Sequence, residues 1–159
     1  MSQSGDRILV GQSLGIILQS TDKGNSFSML PTSPSQGSYV SMTCNEDCHY
    51  ILATTTSSVI LSSDFGVSWN TTSLAKISGS AYHLALSGSG QVQYAGGMNT
   101  RLSKSTDYGQ SWSVLDASKN TVWSSIDCDS TGLIVIASST EKGVFISSDG
   151  GATWTASNL

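Results

Sequence analysis

Four segments of the chain can be laid on one another: STDKGNSF from Ser20, SSDFGVSW from Ser62, STDYGQSW from Ser105 and SSDGGATW from Ser147. Their aspartates, Asp22, Asp64, Asp107 and Asp149, follow at intervals of 42, 43 and 42 residues. Each has a glycine two positions on (Gly24, Gly66, Gly109, Gly151) and an aromatic residue five positions on (Phe27, Trp69, Trp112, Trp154). A fixed period of this length marks an array of like units that bury a core by stacking on one another.

The rest of each unit keeps the same register. Before each Asp-Gly segment lies a short apolar run: Gly15 to Leu18, Val59 to Leu61, Arg101 to Ser103 and Gly143 to Ile146, the third being the weakest. Before that lies another: Ile8 to Val10, Tyr50 to Ala53, Val92 to Ala95 and Leu133 to Ala137. The later units open with a further alternating run, Tyr39 to Cys44, Tyr82 to Leu86 and Trp123 to Cys128. These runs are short, rich in β-branched and aromatic residues, and bounded by Gly, Ser, Asn and Asp, which favours strands. No window of helical length carries a 3.6-residue spacing. Each full unit therefore reads as a four-stranded antiparallel meander, and about 42 residues is the usual size of one propeller blade. The units fall at roughly 1–35, 36–78, 79–120 and 121–159.

Within each Asp-Gly segment the aspartate can accept hydrogen bonds from the backbone of its own turn, and a neighbouring Ser or Thr can bond locally in the same way. The glycine two positions on can take the positive φ of a tight turn. The aromatic residue then lands on the next strand, where it can pack against a neighbouring sheet. A calcium loop would need a second oxygen ligand where Gly24, Gly66, Gly109 and Gly151 stand. No metal site is expected, and no cofactor.

The fourfold pattern Ser-x-Asp-x-Gly-x-Ser/Thr-aromatic resembles the Asp-box, or bacterial neuraminidase, repeat of sialidases, sortilin-type receptors, reelin, xyloglucan-cleaving glycosidases and photosystem II assembly factors. The resemblance covers essentially the whole chain. It implies an all-β propeller with the box at the turn between the third and fourth strands of each blade, away from any active site.

The catalytic residues of those relatives are not evident here. Sialidases grip a carboxylate with three arginines, whereas this chain has only Arg7 and Arg101. A glycosidase needs two facing carboxylates, and the acids outside the boxes, Asp6, Glu46, Asp47, Asp116, Asp127, Asp129 and Glu141, fall mostly in predicted turns. Gly11-Gln12-Ser13-Leu14-Gly15 satisfies the nucleophile-elbow pattern, but that motif needs a strand-to-helix turn, and here a strand follows. It reads as a hairpin.

Cys44 and Cys128 are two periods apart and read as small buried residues on innermost strands. Cys48 aligns with Gly90 and Gly132 at the first hairpin, which leaves a Cys44–Cys48 disulfide open. Among aromatic residues outside the repeated tryptophans, Trp123, opening an inner strand, and Tyr108, at a turn tip, are the candidates for sugar stacking or partner contact. Asn70-Thr71-Thr72 is a glycosylation sequon.

Composition narrows the partners. Charged residues are 11% of the chain, the net charge is −4, and there are 33 Ser and 15 Thr. Nothing here could neutralise a run of phosphates, and no apolar run approaches the roughly 18 residues of a membrane span or the flanked core of a signal peptide. Nucleic acid and membrane insertion are thus poor guesses, and a hydroxyl-rich surface fits an extracellular or particle-surface setting. The expected function is a non-catalytic binding or scaffolding module for a glycan or protein. The alternative is a fragment or subunit of a glycoside hydrolase of sialidase or xyloglucanase type.

The register carries one more expectation. Shifting Tyr39 to Thr43 back by one period places the first unit's inner strand before residue 1, so the first blade lacks it. The array is expected to belong to a larger propeller, cut from a longer polypeptide or completed by a homo-oligomer.

Overall fold

A computed structural model describes residues 1–13, 15–32, 34, 38–56, 58–76, 83–98, 101–115 and 121–157. The first sheet contains β1 (Ile8–Gly11), β2 (Ile17–Ser20) and β3 (Ser28–Met29). The second contains β4 (Tyr39–Cys44), β5 (Ile51–Thr55), β6 (Val59–Ser62) and β7 (Asn70–Thr71). A 3-10 turn at Ser73–Lys76 precedes the third sheet, β8 (His83–Leu86), β9 (Gln93–Gly96), β10 (Ser103–Ser105) and β11 (Ser113–Val114). The fourth contains β12 (Trp123–Cys128), β13 (Val135–Ser139), β14 (Gly143–Ser147) and β15 (Thr155–Ala156).

Strand order follows chain order in every sheet, and every pairing is antiparallel. This is the blade architecture of an all-β propeller, with three strands in the first blade. Neighbouring blades meet through their innermost strands, β1 against β4, β4 against β8 and β8 against β12. A β-bulge recurs at one repeat position, between Tyr39 and Ser41 and again between Trp123 and Ser125, where it adds local twist at the start of an inner strand. Among the described residues no helix is long and apolar enough to cross a membrane.

The core lies between blades. One cluster joins Leu52, Val59, Leu61 and Leu74 of the second unit to Leu84 and Ala95 of the third, with Trp112 against it. The next joins Ala85, Tyr94 and Leu102 to Trp123, Ile126, Val135, Ala137 and Phe145, with Trp154 against it. The weak third-unit run forms its strand two residues late, because Ser103 and Ser105 supply the buried positions. Between them Lys104 reaches out, donating to the Gly150 carbonyl at 2.7 Å and lying over the Tyr94 ring.

The Asp-Gly turns join the last two strands of every blade and are built alike. The serine two places before the aspartate (Ser20, Ser62, Ser105, Ser147) donates to the near carboxylate oxygen at 2.7–2.8 Å. The same hydroxyl accepts the N–H of the glycine at 2.7–2.9 Å. That carboxylate oxygen also accepts the N–H of the residue four places on, at 2.8–2.9 Å, and the other accepts its hydroxyl. Hydroxyl donation from that fourth residue is the main reason the carboxyls of Asp22, Asp107 and Asp149 sit at about 2, and Asp64 is lowered for the same reason. Trp69, Trp112 and Trp154 each return an indole N–H to the carbonyl of the turn glycine at 3.1 Å. Phe27 has no such donor and is exposed.

Two consecutive residues of each turn, not the glycine alone, take positive φ: Lys23 and Gly24, Phe65 and Gly66, Tyr108 and Gly109, Gly150 and Gly151.

Candidate binding site at the inner-strand ends

At the same end of the blades, the turns that lead into β1, β5, β9 and β13 form a second series of self-satisfied turns, joined to the Asp-Gly turns by the Phe65, Tyr108 and Gly150 N–H groups on the His49, Gln91 and Leu133 carbonyls. Ser2, Asn45, Ser87 and Asp129 stand at intervals of 43, 42 and 42 residues. Each accepts, on a side-chain oxygen, the N–H of the residue five places on, at 2.8–3.1 Å. Three places after each lies a residue of positive φ: Gly5, Cys48, Gly90 and Gly132. Cys48 is thus a non-glycine residue in a left-handed position, and a disulfide to Cys44 ties it to the end of β4.

Main-chain hydrogen bonds link these hairpins into a chain. The Gln3 N–H donates to the Glu46 carbonyl (2.7 Å), Glu46 to Gly88 (3.2 Å) and Gly88 to Ser130 (2.9 Å). The Asn45 side chain adds a donation to the Gly88 carbonyl at 3.2 Å. Blade after blade is therefore held at a fixed offset around the inner-strand ends.

Those ends enclose an open pocket of about 480 Å³, lined by Cys44, Leu86 and Cys128 with Asn45, Glu46, Gly88, Asp127 and Ser130, and by Met1 and Gln3. The side-chain charges of this lining are those of Glu46 and Asp127, both exposed. A side chain at residue 88 would collide with the Glu46 carboxylate, so glycine is what lets it lie there. Asp127 already accepts the N–H of Cys128 at 2.9 Å. The Cys128 thiol is pushed up to about 12 by burial and by the neighbouring carboxylates of Asp127 and Asp129. Cys44 and Cys128 are half-buried, not the fully buried residues expected, because they end strands that open into this pocket.

The remaining candidates are spread over the array. Trp123 is 2% exposed. It packs edge-on to Phe145 with ring centroids 5.7 Å apart, so its ring belongs to the core between blades and is not offered to a ligand. Tyr108 lies half-buried at its turn tip and stacks on Tyr50 of the preceding blade at 4.8 Å. Phe65 stands one unit earlier and is met in the same way by Arg7, which lies over its ring and donates to its carbonyl. The tip residues thus clamp the preceding blade.

Asp6 pairs with Lys23 at 3.4 Å, Asp47 caps the His49 N–H, and Glu141 accepts from Thr121. Asp129 is a turn acid whose carboxyl is lowered chiefly by Thr131. Arg7 and Arg101 lie in different units. Asp116 and Tyr82 lie outside the described residues. Leu14 of the Gly11 to Gly15 segment lies outside the described residues, and the Gln12 N–H donates to the Ile16 carbonyl at 2.8 Å between β1 and β2. Asn70 is exposed on the short outer strand β7. Among the described residues no three His, Cys, Asp or Glu side chains gather as a metal would require.

No family model matches the chain, and no curated protein matches it. Solved structures do. A GH74 xyloglucanase from Xanthomonas campestris aligns with a TM-score of 0.71 and 18% identity over 96% of this chain and 28% of that one. The GH74 enzyme of Niastella koreensis aligns with 0.75 and 16% over 98% and 23%. Chaetomium thermophilum Sqt1, solved bound to the N-terminus of the ribosomal protein L10, aligns with 0.66 and 17% over 91% and 43%. The chain spans less than half the length of each. At such identities the likeness is one of fold: this is an all-β propeller array.

Proposed function

We propose that the chain is an Asp-box array of four units, 1–35, 36–78, 79–120 and 121–159, that acts as a non-catalytic binding and scaffolding module. Its partner is a protein segment or a glycan held at the inner-strand ends. The observation that carries this reading is the pocket at the inner-strand ends. Its walls are hairpins whose polar groups satisfy one another, leaving the outward groups of Glu46, Asp127 and Ser130 to meet a partner. Sqt1, which binds the end of another protein, supports a protein segment. The boxes hold the turns of the outer strands at the same end of the blades, and Tyr108 contributes there by clamping.

A glycoside hydrolase is the second reading, favoured by two carboxylates in one pocket. Both carboxylates, Glu46 and Asp127, are exposed. Peptide-array and glycan-array screens, run in parallel with a hydrolysis assay on xyloglucan, test both readings with the wild type and the Glu46→Gln/Asp127→Asn double variant. Retention of peptide or glycan that is lost in the variant supports the binding module. Hydrolysis of xyloglucan that the variant abolishes overturns it.

A further inference from the structure

Because the four blades stack in one direction, residues at one repeat position can be compared for what covers them. Leu52 in β5 and Tyr94 in β9 are both 0% exposed, since each packs in a cluster with the blade that follows. Their equivalent in β13, Ile136, is 47% exposed, and Ile146 beside it on β14 is 41% exposed. The opposite face behaves in mirror fashion. Ala53, Ala95 and Ala137 are 0–1% exposed, while their equivalent in β1, Val10, is 42% exposed. The first and fourth blades therefore each carry an uncovered apolar face. One is the surface a blade offers its follower, and the other is the surface a follower offers back.

We propose that these two faces dock head to tail between two copies of this chain, Ile136 and Ile146 of one seating against Val10 and its neighbours in the other. The occupant is identified by the molecule itself. The junction would repeat the ones already present between its own blades, so both halves of the interface are on one chain. Two copies give eight blades, and known propellers hold roughly four to eight, whereas three copies would exceed that range. The chain of main-chain hydrogen bonds continues through the same junction, with the Ser130 N–H donating to the Gln3 carbonyl of the second copy. This pairing is independent of what the inner-strand ends bind.

Light scattering on the purified chain tests it, with Val10→Lys and Ile136→Lys as variants. Both positions are exposed in the single chain, so far-ultraviolet circular dichroism is expected to match the wild type. The wild type is expected at twice the 16.6 kDa of one copy, and each variant alone at that single mass. Mixing the two variants restores the doubled mass, because one of the two junctions then joins two unsubstituted faces. A wild type that stays at the single mass where an interface of ordinary size would be saturated overturns the proposal. So does loss of pairing in Ile136→Lys but not in Val10→Lys, which would mean that like faces meet.

Discussion

Removing a single hydroxyl, Ser105→Ala, measures how much the Asp-Gly turns contribute. The Ser105 hydroxyl is buried; it donates to Asp107 at 2.8 Å and accepts the Gly109 N–H at 2.9 Å. Asp107 faces solvent, so water replaces its lost donor. Gly109 is buried, and its N–H is left without a partner. An orphaned buried donor costs about 1–3 kcal/mol, and loss of the modest net bond to Asp107 brings the total to about 2–3 kcal/mol. For a chain of this size that lowers Tm by about 4–12 °C. The same substitution at Ser20 is the internal control. Gly24 is only half-buried, water reaches its N–H, and about 1 kcal/mol is expected. Urea unfolding of the wild type and the two variants supplies the comparison, with the slope unchanged so that midpoints report stability. Equal losses at the two sites, or a loss below about 0.5 kcal/mol for Ser105→Ala, would refute the argument that burial of the glycine N–H sets the size of the effect.

The box carboxyls also set an acid limit. Asp22, Asp107 and Asp149 sit at about 2 when folded, below the roughly 3.9 of an unfolded aspartate. Their contribution is therefore complete above pH of about 4 and lost as pH falls towards about 2. Urea midpoints followed from pH 6 downward should hold steady and then drop in that window; a flat profile through it would contradict the hydrogen-bonding account. Tyr94→Phe removes a buried hydroxyl that donates to the Gly132 carbonyl at 2.7 Å and should cost about 1–2 kcal/mol by the same urea assay, with secondary structure unchanged.

The parts of this fold that were legible beforehand are those in which one residue type recurs. Ser, Asp and Gly repeat in every box, and with the apolar runs set in that register they predicted four meanders and the limits of β4 and β12, while β2, β10 and β13 form about two residues later than their runs. The first hairpins were placed by Cys48, Gly90 and Gly132, but their capping was not seen, because the capping oxygen comes from Ser2, Asn45, Ser87 and Asp129, three residue types performing one task. The signal was present as a small polar residue followed three places on by Gly, with Cys48 disguising one copy. The second positive-φ residue of each box was hidden for a related reason, since Lys23, Phe65, Tyr108 and Gly150 share nothing but position. Trp123 shows a different limit. Alternation along a strand tells which residues share a face, but not which blade lies against that face, and the cover over Trp123 comes from Phe145 on its own blade and from the blade before it.

The hydrogen bonds that join one hairpin to the next run from main chain to main chain, through residues 3, 46, 88 and 130. Side chains at those positions carry none of that linkage, and the chain already places Gln, Glu, Gly and Ser there. In the proposed binding role, recognition chemistry and scaffold stability are thereby separated onto different atoms of the same residues. Over evolution, or in a library randomised at residues 3, 46 and 130, the rim can change its specificity while the spacing of the blades stays where it was.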